Sequence, residues 1–396
     1  MHPDRAWKIS GPPAGPTEKR LRGTGEIAGG TIVSPDGTIE RGIVRFEEGV
    51  ITSVTPHSGP LPVNALDVRD RVVMPGLVDL HGDDLEQHLS PRTNVTLDPQ
   101  LAGSTVDRTN LAAGITTKFH AIAVEENVEG LRSPQRAREL AALIDKSSDY
   151  LVDHRIHLRC ELGCEQVVRE LLEEVPVELI SMMNHVPGAG QFEQMDTFRD
   201  HYLGDKDLSP DAVELLVEKR QANTNGHRWK RARELAKDAD ARCIPLASHD
   251  DETGACVDRA ATIGAQICEF PLTLDAALRA RELGLTTVMG APNLVQGASQ
   301  WGNLSARDAV SADAVDVICA DYHPPSMLMA AFVETGESLS QRVARVTKKP
   351  ADAAGLLRRG RIEPGAQADI LVVDPKPIPT VDRVILDGHE VLAVGG

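Results

Sequence analysis

Eight short apolar runs recur between residues 75 and 359, and nearly every one closes on or runs into a histidine, an acid or an amide. They read GLVDLHGD, GITTKFHA, RIHLRCEL, ELISMMNH, CIPLASHD, AQICEFP, TTVMGAPN and VDVICADYH. Helix-forming segments separate them, among them SPQRARELAALIDK, CEQVVRELLEE, RARELAKDADA, LDAALRARELG and MLMAAFVETG. Short buried strands alternating with helices are the pattern of parallel βα units. Eight such units over 75–359 predict an α/β fold, a (β/α)8 TIM barrel. A doubly wound sheet competes with it, but no GxGxxG follows the first run and no Walker A motif is present.

The flanks differ in character. Residues 27–72 alternate β-rich runs with turn signals at Asp36-Gly37 and near Glu48-Gly49. The segments GRIEPGAQADILVVDP and VDRVILDGHEVLAV behave the same way. Both ends together predict one small β-sandwich domain over 21–74 and 360–396. Residues 1–20 are rich in Pro and Gly and predict a disordered tail. The polar, mostly helical stretch 191–241 is either a lid or a padded βα connection, with the connection favoured.

Composition narrows the partners. Hydrophobic residues make up 41% of the 396 residues, enough for a large core. Aromatics at 3% argue against stacking platforms for single-stranded nucleic acid. The 42 basic and 59 acidic residues give a net charge of −17, which argues against nucleic acid or an anionic membrane as partner. A small-molecule substrate is expected, and a homodimer is the default for closed symmetry. No apolar run is long enough to cross a bilayer, and the N-terminus has no secretory apolar core. Four of the six cysteines (Cys160, Cys243, Cys268 and Cys319) lie in or beside apolar runs and read as buried small hydrophobes. No spacing resembles a zinc knuckle, and Cys160 with Cys164 lacks a second pair. A cytoplasmic protein is expected.

The polar strand ends carry the chemistry. They are His81 and Asp83, His120, His157 with Glu161, His185, His249 with Asp250 and Asp251, Glu269, Asn293, and Asp321 with His323. In a barrel these ends converge on one face. A lone histidine there has a bland reading, but so many imidazoles and carboxylates together need a cation among them. A divalent metal satisfies them, zinc first, with manganese, iron or nickel as alternatives. Residues two apart on a strand share a side, so His81 and Asp83 can face one ion. By the same rule His157, Arg159 and Glu161 share a face, while Leu158 and Cys160 turn toward the helices.

These motifs, framed by a split β-domain, resemble the amidohydrolase superfamily. The similarity extends to the branch of ribosyl triphosphate diphosphatases in the carbon–phosphorus lyase pathway. The stretches that carry it are LVDLHGDDLEQHLSPR, AAGITT, RIHLRCEL, NHVPGAGQF, LASHDDET, EFPLT, MGAPNLVQGAS, ADYHPPSML, VTKKPADAAGL and IEPGAQADIL. The resemblance implies that His81, Asp83, His185 and His249 are metal ligands. It implies that Glu161 replaces a carbamylated lysine and can bridge two ions. Asp321 then resembles the late aspartate that moves the proton of the attacking water. The implied reaction is attack on the α-phosphorus of a ribosyl 5-triphosphate with release of pyrophosphate. Arg92, His157, Arg159, Asp250, Asn293, Gln296 and His323 are the expected substrate contacts.

The chain departs from that branch at several positions. The first motif is HGDD rather than HTDN, the second strand ends in His120 rather than Asp, and Asn184 stands before His185. The phosphate-side loop reads VQGASQWGN, with Gln296 and Gln300 in place of Arg and His, and His323 replaces a tyrosine. Glutamine cannot give the bidentate contacts that arginine gives a phosphate. Asp84 adds negative charge, against which Arg92, Arg159, Lys118, Lys348 and Lys349 are candidate compensation. The alternative is therefore a divergent relative that hydrolyses a C–N bond of a less anionic substrate. A non-catalytic protein on a retired barrel is disfavoured because every implied ligand and Asp321 are present.

Overall fold

The computed structural model describes residues 21–92, 95–125, 132–146, 149–184, 196, 199, 203, 209–222, 227–299 and 302–394. Seven short strands come first: β1 (Gly25–Ala28), β2 (Thr31–Ser34), β3 (Gly37–Ile39), β4 (Gly42–Glu47), β5 (Val50–Pro56), β6 (Leu66–Asp67) and β7 (Val72–Pro75). The eight apolar runs then become β8 (Leu77–Gly82), β9 (Ile115–Val124), β10 (Asp153–Glu161), β11 (Val177–Met183), β12 (Leu246–His249), β13 (Ile267–Glu269), β14 (Thr286–Gly290) and β15 (Val317–Cys319). They lie side by side in chain order in one parallel sheet. Three strands finish the chain: β16 (Ile370–Asp374), β17 (Thr380–Leu386) and β18 (His389–Ala393).

Period-2 patterning sorts the barrel side chains. Leu80, Phe119, Leu179, Ala247, Ile267, Val288, Val317 and Cys319 form one cluster drawn from seven of the eight strands, which plugs the barrel axis. Ile156, Leu158 and Cys160 belong to a second cluster, outside the barrel. They meet Val106 of α2 (Pro99–Ala112), Leu140 of α3 (Pro134–Asp145) and Val168 of α4 (Glu165–Glu174) there. Leu158 and Cys160 thus face the helices, as their spacing implies. Local chemistry starts these helices: Asp98 accepts from Gln100 N and Leu101 N ahead of Pro99, and Ser133 accepts from Arg136 N ahead of Pro134.

The two chain ends share a six-stranded sheet, in the order β18-β17-β16-β7-β2-β3. A four-stranded sheet, β5-β4-β1-β6, packs with it through Ile27, Val44, Phe46, Ile51, Val73, Ile370, Val372 and Ile385. The expected hairpin at Asp36-Gly37 joins β2 to β3. Glu48 and Gly49 both have positive φ (48° and 74°), the two-residue turn that matches the twist of β4 and β5. Asp387 and Gly388 repeat that turn between β17 and β18.

The expected tail over 1–20 lies outside the described residues, as does part of 191–241. Of that stretch, helices Pro210–Ala222 and His227–Ala241 are described, and Ala232, Leu235, Ala236 and Ala239 of the latter pack into the outer cluster. Cys243 is exposed, at φ 56° in the turn before β12, and is not the buried hydrophobe its neighbours suggest. Among the described residues no helix is long and apolar enough to cross a membrane.

The ring closes differently from the rest of the sheet. β8 and β15 meet at a single bridge, Gly82 to Asp321. Below it Val78 N donates to Val346 O and Ile318 N to Arg345 O, so a loop fills the gap. A buried ion pair completes the seam. Asp79 Oδ1 accepts from Ala320 N (2.8 Å) and His81 N (3.2 Å), and its Oδ2 lies 2.7 Å from Lys118 Nζ. Lys118 also reaches Asp84 Oδ1 at 2.8 Å, while Asn110 Nδ2 donates to Asp84 Oδ2. Gly82 is the close approach that allows this. A Cβ there would lie 1.8 Å from Lys118 Nζ and 2.7 Å from Asp79 Oδ2. Gly82→Ala is expected to cost about 3 kcal/mol, read in urea unfolding as a lower midpoint at unchanged slope.

Candidate metal centre

The C-terminal ends of the barrel strands bring together three side chains that no sequence neighbourhood joins. His81, His249 and Glu269 are all buried, and each offers one nitrogen or oxygen within 4.8 Å of the others. Glu269 Oε2 lies 3.2 Å from His81 Nδ1 and 3.2 Å from His249 Nδ1. The two imidazoles stack with centroids 5.3 Å apart. Phe270 stands edge-on to both, at 4.9 and 5.2 Å.

Around this core the remaining polar ends take distinct places. Arg159, pointing inward from β10, donates from Nη2 to His249 Nε2 at 3.1 Å. Its Nη1 is 3.8 Å from Asp83 Oδ2. Asp83 stands at the N-cap of α1 (Asp84–Leu89) but makes no side-chain cap bond, and its buried Oδ1 has no hydrogen-bond partner. Glu161 ends β10 and is 4% exposed. Asp250 carries an oxygen 3.7 Å from His249 Nε2. Asp321 N donates to His81 O, and Asp83 N to Asp321 O, so the backbone holds the first and last strand ends together. Nitrogen and carboxylate donors in a dry pocket, with buried Asp83 Oδ1, Glu269 Oε1 and His81 Nδ1 lacking hydrogen-bond partners, fit a borderline divalent ion.

Backbone strain collects here. Asp250, Phe270 and Asp321 all have positive φ (58°, 53° and 57°) just beyond β12, β13 and β15. Such a conformation costs a bulky residue about 1–3 kcal/mol and clusters at functional sites.

Electrostatics separates the groups. Burial would raise the Glu269 carboxyl, but His81, His157 and His249 together hold it well below the usual carboxylate range. Burial lowers His81, against the pull of Glu269. Burial drives His157 down to about 3. Asp321 moves the other way: burial first, then repulsion from Asp83, raises its carboxyl to about 8.

Several expected roles change. His157 is fully buried and both nitrogens are engaged, with Leu80 O and Ser181 Oγ, so it braces the floor under His81 instead of reaching a substrate. Asn293 spends its amide on Leu304 O and Ala306 N, pinning a loop. His323 is exposed and bonds Ser326 Oγ. Gln296 and Arg92 are exposed. His120 turns outward between barrel and helices, where its Nε2 meets His154 Nδ1 at 2.7 Å and His154 meets Asp107. Asp84 adds no free charge to the cleft, since Lys118 and Asn110 hold it, and Lys118 is equally unavailable to a phosphate. Lys348 and Lys349 pair with Asp352 and Asp316. His185 and Gln300 lie outside the described residues.

Glu269 was visible as a polar strand end, yet its role beneath two histidines was not. The EFPLT stretch was the available signal, because Phe270 is what fixes both rings.

Three comparisons place this arrangement among known proteins. The model of the amidohydrolase family matches residues 72–391. The alpha-D-ribose 1-methylphosphonate 5-triphosphate diphosphatase of Escherichia coli (strain K12) is 33% identical over 352 residues, 86% of this chain and 93% of the relative. A solved amidohydrolase structure superposes with TM-score 0.64 at 18% identity, over 94% of this chain and 100% of the other. A Xaa-Pro dipeptidase with bound methionine gives 0.64 at 15% identity, over 93% and 99%. The dihydropyrimidinase from Brevibacillus agri gives 0.61 at 13% identity, over 93% and 95%. At such identities the structures share the fold.

The raised carboxyl of Asp321 has a measurable consequence in chelator-treated protein. An acid with a folded pKa near 8 binds more protons folded than unfolded between pH about 4 and about 8. Its contribution is therefore complete below pH about 4 and declines as pH rises to about 8. Asparagine cannot ionise, so the melting temperature of the wild type should fall relative to Asp321→Asn across that window. A constant difference between the two melting curves from pH 5 to 8 would refute the raised value.

Proposed function

The chain belongs to the amidohydrolase family and is a hydrolase, and from that premise we propose that it cleaves a ribosyl 5-triphosphate at the α-phosphorus, releasing pyrophosphate, in phosphonate metabolism. The observation that carries the reading is the convergence of His81, His249 and Glu269 at the barrel mouth beside Asp83 and Asp321. The diphosphatase name of the E. coli relative supports the substrate class.

The donors for an ion are the expected His81, Asp83, Glu161, His185 and His249, joined by Glu269. A divalent ion, zinc by donor type, supplies a Lewis acid and an activated water when bound. The rest falls to the chain's own residues. Asp321, raised to about 8, can take a proton and return it to a leaving oxygen near neutral pH. Arg159 presents planar N–H donors inside the dry pocket, where they suit a phosphoryl oxygen. The plug of apolar side chains beneath the site closes the barrel axis to water from below. A cytoplasmic protein acting on a small molecule, as a homodimer, goes with this reading.

One observation favours the second reading, hydrolysis of a C–N bond in a less anionic substrate. A cavity of about 240 Å³ beside His249 is lined by Leu162, Met182, Trp229 and Ile263, and by Asp250, Asp251 and Glu252. Its one cation, among the described residues, is Arg259, whose guanidinium lies over Trp229 at 5.0 Å. That wall does not suit a polyanion.

The deciding assay compares pyrophosphate release from a ribosyl 5-triphosphate with hydrolysis of N-acyl amino acids and cyclic amides. Release from the triphosphate is expected, lost on chelation and restored by zinc, with Asp321→Asn lowering kcat about 10²–10⁴-fold. Turnover of the amides with no pyrophosphate would select the second reading.

A further inference from the structure

Asp251 carries a carboxyl that the fold holds still and only half uses. The residue is 8% exposed. Ser248 Oγ, on β12, and Cys268 Sγ, on β13, both donate to its Oδ2. Leu272 N donates to its backbone oxygen at 2.9 Å. Its other carboxyl oxygen, Oδ1, takes no hydrogen bond from any described residue. An ionised carboxyl accepts at both oxygens and donates at neither. A buried acceptor left empty is costly, so Oδ1 is placed for a donor that the described residues do not supply.

That side chain lines the cavity of about 240 Å³ beside His249. Leu162, Met182, Trp229 and Ile263 supply the apolar part of the wall. Drug-sized ligands fill about 300–1,000 Å³, so there is room here for one small ring rather than for a whole triphosphate. His249 belongs both to this wall and to the metal centre, so a ring seated in the cavity lies next to the reacting end of the same molecule. The acids that make the wall unfit for phosphates suit hydroxyl groups, which donate to a carboxylate. The ring carbons between those hydroxyls gain from apolar surface, which the other four side chains offer.

We propose that this cavity is the sugar subsite of the enzyme, and that Asp251 Oδ1 receives the adjacent hydroxyls at C2 and C3 of the ribosyl ring. The proposal rests on the ribosyl triphosphate reading above and assigns the half of the substrate that Arg159 does not serve. Phosphates lie toward Arg159, and the sugar lies toward Asp251. Selectivity follows from the same chemistry. A site that buries an acceptor for a substrate hydroxyl rejects the analogue lacking it, because the acceptor is then left dry and unpaired. Asp251 thus sets specificity and takes no part in the bond-breaking step.

The test uses ribose 5-triphosphate with its 2-deoxy and 3-deoxy analogues, and reads pyrophosphate release as kcat/KM. In the zinc-loaded wild type, each deoxy analogue should be turned over about 10–100-fold less efficiently than the parent, the range for a hydrogen bond to a charged group. In Asp251→Ala the three substrates should fall within about threefold of one another. The ratio between substrates is decisive, because a merely structural loss lowers all of them alike. The wild-type comparison needs no variant and covers the case in which Asp251→Ala does not fold. Equal turnover of the three by the wild type would overturn the proposal. So would a folded Asp251→Ala that keeps the wild-type preference. Release of pyrophosphate from none of them would remove the ribosyl triphosphate reading itself and this subsite with it, an outcome distinct from equal turnover.

Discussion

An ammonium group with no exposed surface sits between two carboxylates at the seam of the barrel, and the site inherits its geometry from that contact. Burial alone would push the proton off Lys118, yet Asp79 and Asp84 hold its pKa above the ordinary lysine range. An isolated buried charge costs several kcal/mol, so none of the three groups is tolerable without the others. The pair does more than neutralise itself. The second oxygen of Asp79 receives the amides of His81 and Ala320, which precede or carry the polar ends of β8 and β15. One carboxylate thereby ties the first barrel strand to the last, where backbone pairing between them is reduced to a bridge. Strand β9, which carries Lys118, is locked to both.

Above that seam the chain concentrates polar groups that would be costly apart. Two imidazoles each bring a nitrogen to 3.2 Å from one oxygen of Glu269, and a guanidinium stands 3.8 Å from Asp83. Phe270 keeps the rings parallel from the edge, at the expense of a backbone conformation that its bulk disfavours. The apolar layer beneath, from Leu80 to Cys319, keeps the lower half of the barrel dry, which strengthens every charge interaction above it.

The barrel was legible because its signal is repeated. Eight apolar runs with helices between them leave few folds, and both β-rich ends were readable from their turns. The convergence of His81, Asp83, His249 and Asp321 follows from strand ends sharing one face. What the letters hide is which face a polar strand residue takes. His120 and Lys118 lie on β9 like site residues, but period-2 alternation turns them outward beside Ile122 and Val124. In β8 the register shifts between Asp79 and Gly82, so counting by twos from Leu80 misplaces His81. Asp84 looked like a cleft acid because its partners, Lys118 and Asn110, are far away in sequence. The partner of His249 Nε2, Arg159, lies 90 positions off, and no spacing rule reaches that far.

The six-stranded sheet sets an order of events during synthesis. Strand β7 runs through Gly76 straight into β8, the strand that presents His81, and its neighbour β16 begins at residue 370. Until residue 321 has been made β8 lacks the bridge to Asp321, and until residues 370–373 have been made β7 lacks that flank. A contact spanning some 300 residues forms late, because so long a loop must first be closed. The nascent chain therefore displays its imidazoles long before it can arrange them, because the strand that flanks β7 is made some 300 residues later.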